Sequence, residues 1–263
     1  MKTGPLYILF DMDDTLIDTK SVYDVVRKNA YNYLEKTFGP LSQSYSDFRH
    51  ASIAYRNSYK KQKLSSEEVA SKSIINAAEL CTQSALTDTQ IETLHAISQE
   101  AFTMVPPLKQ GIEDALESFT RKMRLYKKPI HLIVFTQGHQ DWQTEKFLSL
   151  PSHIQDKFER VIVVPRKNTE TYQAFLNANK IKADDVIMIG DKATADINPA
   201  LHAGMHAYHI PLRDHLDFPS VSQLNIRKKT GKYQRFKDMS QCLKFIRHHF
   251  LEARPRAKLR HRL

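Results

Sequence analysis

Three carboxylates, Asp11, Asp13 and Asp14, fall among four residues where the apolar run of YILFDMDDTL stops. Asp11 and Asp13 are two apart, and in an extended segment residues two apart point the same way. Two carboxylates brought together repel, which raises one pKa unless a cation sits between them. A hard divalent ion such as Mg²⁺ resolves that conflict, taking oxygen ligands while leaving positions open for a phosphate oxygen. A plainer reading stays open at this point, because acids and threonines after a strand also cap the next helix.

Two further apolar runs and one polar stretch deliver complementary groups. HLIVFTQG ends in Thr136, Gln137 and Gly138, a hydroxyl with backbone N–H groups suited to phosphate oxygens. VIMIGDKATAD places Asp191 directly after a glycine and Asp196 five residues later, and VVPRKNTETY offers a cation. Arg166 and Lys167 compete for that role, and the register of KNTETY favours Lys167. Ligands of parallel α/β sheets lie beyond the carboxyl ends of the strands, where all of these residues are expected to meet. One hydroxyl, one lysine and four acids make a phosphate-and-metal constellation.

The elements that must position them read as alternating strands and helices, an α/β class with a doubly wound, Rossmann-like, mostly parallel sheet. Expected strands are Tyr7 to Phe10, His131 to Phe135, Val161 to Val164 and Val186 to Ile189, with a weaker fifth at Ala207 to Ile210. Helical spacing follows in Ile112, Ala115, Leu116 and Phe119, in Tyr172, Phe175 and Leu176, and in Met239, Cys242, Leu243 and Ile246. Residues 20–106 break the alternation with helical patterns alone. One face is marked by Val22, Val25, Val26, Ala30 and Tyr33, others by Val69, Ile74, Ala77 and Ala78 and by Ile91, Leu94 and Ile97. The expected organisation is a discontinuous core, 1–19 and 107–250, an inserted all-α cap, 20–106, and a basic tail, 251–263, with Val105-Pro106-Pro107 marking the return to the core.

With 263 residues and 41% hydrophobic content the chain buries a real core. Cys81 and Cys242 have no metal or pairing spacing and fit a reducing compartment. Neither a secretory h-region nor a membrane-spanning apolar stretch is readable, so the expected location is the cytoplasm. The net charge of +10 is a property of one end: Arg227 to Leu263 carries 13 Lys and Arg against two acids. That segment reads either as a solvated tail or as a weak contact for RNA or an anionic lipid surface, and no RNA-recognition motif accompanies it.

DMDDT, FTQG, RKNTETY and GDKATAD, in that order, resemble the four motifs of the haloacid dehalogenase superfamily of hydrolases, in the branch with a helical cap after the first motif. The resemblance covers residues 5 to 20 and 107 to 212; the cap matches only as a helical insertion. It implies a Mg²⁺-dependent phosphatase in which Asp11 attacks phosphorus and forms an aspartyl-phosphate. Asp13 would protonate the leaving alcohol and then deprotonate the hydrolytic water. Thr136 and the Gln137 N–H would hold the phosphoryl oxygens, and Lys167 would offset charge. The metal ligands implied are Asp11, Asp191 and, through its backbone carbonyl, Asp13, with Asp196 and Thr15 behind them. Dehalogenase members lack an acid matching Asp13, because carbon–halogen cleavage needs no protonated leaving group.

The expected substrate is a small phosphorylated metabolite: a nucleotide, sugar phosphate, phosphoglycolate or cofactor phosphate. The competing reading is an RNA- or anionic-surface-binding protein whose basic tail acts and whose hydrolase core is weak or retired. Bland roles are expected for Asp14 as a turn residue, for Trp142 as packing, and for His202, His206 and His209, which no motif requires. Tyr23, Tyr31, Tyr33, Tyr55 and Tyr59 read as helix packing, with base stacking as the alternative.

Overall fold

The computed structural model describes residues 4–59, 62, 64–126, 128–212 and 231–252. The expected basic tail lies outside the described residues apart from Leu251 and Glu252. The chain divides into two compact units, Met1–Asp18 with Pro107–Leu263, and Thr19–Pro106.

The first unit is built on a six-stranded sheet of β1 (Leu6–Phe10), β2 (Ile130–Gln137), β3 (Arg160–Val164), β4 (Val186–Gly190), β5 (His206–His209) and β6 (Tyr233–Arg235). Strand order is β3-β2-β1-β4-β5-β6, and every pairing is parallel. Alternation along β1 divides its side chains between two cores. Leu6, Ile8 and Phe10 face a cluster containing α5 (Ile112–Met123) and α10 (Met239–Ile246), while Leu9 faces one containing α8 (Thr169–Ala178) and α9 (Asn198–His202). Fully burying each such side chain contributes about 1.5–3 kcal/mol. With helices on both faces, β1 and β4 are covered on each side, which is why their sequences read as continuous apolar runs.

Two strands differ most from the sequence expectation, the other four lying within one residue of it at each end. β2 runs past Phe135 through Gln137, because Thr136 and Gln137 pair with Val163 and Val164 of β3. β6, a polar Tyr-Gln-Arg triplet, was not anticipated; it adds to the β5 edge through the His209, Tyr208 and Ala207 register. Its residues carry no apolar run, so only an open sheet edge specifies it as a strand.

The second unit contains α1 (Thr19–Phe38), α2 (Tyr45–Tyr59), α3 (Ser66–Thr82) and α4 (Asp88–Thr103) around its own core. The buried stripe of α1 is Val22, Val26, Ala30 and Leu34, with Tyr31 beside it, whereas Val25 is 43% exposed and Tyr33 only flanks the cluster. The i, i+4 repeat therefore outweighs the simple presence of apolar residues at 25 and 33. Ser65 with Glu68, and Thr87 with Gln90, form capping boxes that start α3 and α4. No helix of the described residues is long and apolar enough to cross a membrane.

Where the first unit's chain passes Asp18 and Pro107, its two segments are hydrogen-bonded. The Asp18 N–H donates to the Pro107 carbonyl at 2.8 Å, and the Lys109 N–H to the Leu16 carbonyl at 2.9 Å.

Candidate active site

Asp11 follows β1 directly, and its N–H extends the ladder by donating to the Ile189 carbonyl of β4 at 2.9 Å. The next residues fold into a tight turn in which Asp14 adopts a left-handed conformation, φ 63°, that short polar residues tolerate. Asp14 thus has a local structural role, as expected of a turn residue. The turn carries Thr15 back to Asp11, whose Oδ2 accepts the Thr15 hydroxyl at 3.3 Å.

Lys167 lies between β3 and α8, immediately before Asn168, whose side chain caps α8 by accepting from the Thr171 N–H. Its ammonium is 2% exposed and paired with both Asp11 and Asp196, the latter at 2.7 Å. Arg166 is exposed, so the choice between the two cations falls to Lys167 on burial and pairing. Burial works against the Lys167 charge, yet the adjoining carboxylates of Asp11 and Asp196 overcome it and leave its pKa raised.

Asp191 and Asp196 arrive from β4 and the π-helical turn Ala193–Ile197 that follows it. Asp196 folds back over Gly190, and its Oδ2 accepts the Lys192 N–H at 3.0 Å. Gly190 is required for this passage, since a Cβ there would lie 2.4 Å from the Asp196 carboxylate. With Oδ1 on Lys167 and Oδ2 on Lys192, Asp196 is held as a buttress behind Asp11.

One oxygen from each of Asp11, Asp191 and Asp196 lies within 4.8 Å of the others, and all three residues are buried. Burial, the nearby Asp11 and Asp196, and only partial relief from Lys192 hold the Asp191 pKa well above the usual carboxylate range. Burial and Asp196 likewise raise Asp11 against the pull of Lys167. The buried Asp191 Oδ1 accepts no hydrogen bond among the described residues. A buried carboxylate oxygen with no hydrogen bond and only the distant Lys192 Nζ, at 3.9 Å, beside it, in an all-oxygen acidic cluster, fits a hard divalent cation such as Mg²⁺, with Asp191 and Asp11 as the residues to hold it and Asp196 behind them.

Asp13 is not part of that cluster. Its Oδ1 accepts Lys146 Nζ at 2.8 Å and its Oδ2 accepts Gln143 Nε2 at 3.0 Å. Thr136, 1% exposed at the end of β2, donates its hydroxyl to Gln143 Oε1 at 3.4 Å. The Gln137 side chain accepts the Lys167 N–H at 2.8 Å, which ties the second strand end to the third. The sequence reading missed Lys146 entirely and left Gln143 without a role. The available signal was their i, i+3 spacing on the helix that opens just after Gly138, α6 (Gln140–Leu148), which sets both on one face.

Among the described residues no histidine belongs to the cluster of Asp11, Asp191 and Asp196. His209, on β5, donates Nε2–H to the Asp191 backbone carbonyl at 2.8 Å, and burial lowers its pKa and favours the neutral ring. In the helical unit Tyr31 packs against Tyr45 and Phe48, and Tyr55 stacks with Tyr59 at 6.5 Å.

A family model described as hydrolase, haloacid dehalogenase-like hydrolase, matches residues 7–204. Glyceraldehyde 3-phosphate phosphatase of Pyrococcus furiosus is 23% identical over 205 residues, covering 75% of this chain and 77% of the relative. Among solved structures, a haloacid dehalogenase-like family hydrolase from Xanthomonas campestris superposes with a TM-score of 0.66 at 18% identity, over 94% of this chain and 96% of that one. YfnB from Bacillus subtilis, solved bound to magnesium, gives 0.62 at 15% identity, over 92% and 99%.

Proposed function

We propose that this chain, which belongs to the haloacid dehalogenase-like hydrolases, is a Mg²⁺-dependent phosphatase that hydrolyses a small phosphorylated metabolite through an aspartyl-phosphate. The observation that carries the reading is Asp13, a second carboxylate two residues beyond Asp11, held apart from the acidic cluster by Lys146 and Gln143. A reaction that expels an alkoxide needs a proton donor at the leaving group, whereas expulsion of a halide does not.

In this reading Asp11 is the nucleophile, and splitting the displacement in two makes each half easier. Lys167 pairs with Asp11 and so opposes the effect of burial on its carboxylate, and Asp196 holds the same ammonium. The Thr136 hydroxyl and the Gln137 N–H bind the phosphoryl oxygens, and Lys167 offsets the charge that gathers as nucleophile and phosphate meet. Asp13 enters the first half protonated and gives that proton to the departing oxygen; as the carboxylate, the form that Lys146 and Gln143 hold, it takes a proton from water in the second half. Mg²⁺, held by Asp191 and Asp11, would neutralise charge on the phosphoryl group.

The metabolite class is supported by the Pyrococcus furiosus relative, whose name gives a phosphorylated three-carbon substrate. Triose phosphates therefore join nucleotides, sugar phosphates, phosphoglycolate and cofactor phosphates in the test. Phosphate release is measured across that panel with Mg²⁺ or EDTA, beside Asp11→Asn. Metal-dependent release from the parent, reduced at least ~10³-fold in the variant, is the expected result. Substantial turnover by Asp11→Asn would remove Asp11 as nucleophile and with it the mechanism.

A further inference from the structure

Asp13 is fixed by two donors from one helix face. Lys146 Nζ and Gln143 Nε2 occupy its two oxygens, and each donor is itself anchored. Lys146 has an 11% exposed side chain and lies over the Trp142 ring, 4.7 Å from its centroid. Gln143, 6% exposed, accepts the Thr136 hydroxyl and donates to the Gln137 carbonyl at 3.2 Å. Gly138 lets that amide lie against the chain: a Cβ there would come 2.7 Å from Gln143 Nε2. The Gln143 amide therefore spans the proposed phosphoryl-binding threonine and the proposed proton carrier.

We infer that Lys146 and Gln143 are positioning residues for proton transfer by Asp13. They hold its carboxylate in one orientation, registered through the Gln143 amide to the Gln137 carbonyl at the end of β2, so the leaving oxygen of a substrate bound there meets the carboxyl group without a search through its rotamers. The inference rests on the phosphatase reading. A displacement of ~1 Å in a reacting group costs on the order of 10²-fold in rate, and a positioned acid or base contributes ~10²–10⁴-fold in total. A purely structural ion pair predicts something different, because loss of stability or of general site order lowers the rate on every ester alike.

The test compares two esters on the full chain with Mg²⁺: the best alkyl phosphate from the panel, whose alkoxide needs a proton, and 2,4-dinitrophenyl phosphate, whose phenolate leaves without one. Lys146→Met is expected to lower kcat/KM for the alkyl ester ~10²-fold with KM nearly unchanged. With the dinitrophenyl ester, single-turnover release of the phenolate should fall less than about threefold, followed by slow turnover as phosphoenzyme accumulates. Lys146→Arg should restore most of the alkyl-ester rate, since it keeps a cationic donor beside Asp13. Gln143→Met should reproduce the same selectivity between esters, and it carries the test if Lys146→Met does not fold. Equal losses on both esters, or an undiminished alkyl-ester rate, would overturn the positioning role while leaving an active, Asp11-dependent parent intact. A parent that releases phosphate from no ester would bring down the phosphatase reading and this inference together.

Discussion

Gly190→Ala tests whether the acidic cluster depends on a bare Cα. An added Cβ would lie 2.4 Å from Cγ and Oδ2 of Asp196 and 2.5 Å from its Cβ. Neither side can yield easily. Gly190 is in β4, paired with His209, and its carbonyl accepts the Ile210 N–H at 2.9 Å. The Asp196 carboxylate is tied to Lys167 Nζ at 2.7 Å and to the Lys192 N–H at 3.0 Å. Overpacking costs about 1–3 kcal/mol, and loss of one charged hydrogen bond adds about 1.5–3, giving roughly 2.5–6 kcal/mol. That is a large part of the ~5–15 kcal/mol by which a domain is stable. Gly111→Ala is the control: its φ is +79° and nothing lies within 4 Å, so it carries only the left-handed backbone cost of about 1–2 kcal/mol. Urea unfolding measures both, and Mg²⁺ titration calorimetry on folded Gly190→Ala shows whether displacing Asp196 weakens the metal site. Equal destabilisation by the two variants, with unchanged Mg²⁺ affinity, would refute the argument that Asp196 reaches its place only over a glycine.

Metal-free stability should depend on pH with a defined sign. Burial raises Asp11 and Asp191 above their unfolded values, so the folded state binds more protons, and stability falls as pH rises from the ordinary carboxylate range through the raised folded values. Mg²⁺ relieves that repulsion, so its stabilising effect in thermal melts should be larger at about pH 8 than at about pH 5; an equal shift at both would contradict the linkage. Ser65→Ala removes one half of the α3 capping box and should destabilise the helical unit by about 1 kcal/mol in denaturant unfolding, with no effect expected on Mg²⁺ affinity.

Asp11 and Asp191 were legible as strand-end acids because each follows an apolar run long enough to announce a strand, and parallel strands bring their carboxyl ends to one edge, whereas Asp196 follows no such run and came from its spacing to Asp191. Their roles came only with the resemblance of the four motifs, since on the residues alone a capping role stayed open for the acids after the first strand. Thr136 came from the same logic, although β2 continues beneath it. Lys167 was harder, since two cations are adjacent and only the helix start at Asn168 fixes which one turns inward. The support around Asp13 was harder to read: the i, i+3 spacing sets Gln143 and Lys146 on one face of α6, but Lys146 is 133 residues away in sequence and nothing local says that this face meets the β1 turn. β6 escaped for the opposite reason, because an edge strand is specified by the neighbour it joins more than by its own residues. In α1, the i, i+3 and i, i+4 spacing admits Val25 and Tyr33 to the apolar face, yet the buried stripe follows the i, i+4 row of Val22, Val26, Ala30 and Leu34.

The paired backbone hydrogen bonds at Asp18–Pro107 and Leu16–Lys109 make the sheet indifferent to what is threaded between them. They pin the exit and re-entry of the chain side by side, so Thr19–Pro106 is, for the first unit, a loop with a prefabricated collar. Loop-closure entropy grows only with the logarithm of length, about 0.6 kcal/mol per doubling, so the collar can carry insertions of very different size at nearly the same cost. A short glycine linker from Asp18 to Pro107 would preserve the same collar. Closure of the first unit's chain is in that sense set at Asp18 and Pro107 and depends only weakly on the length of the segment between them.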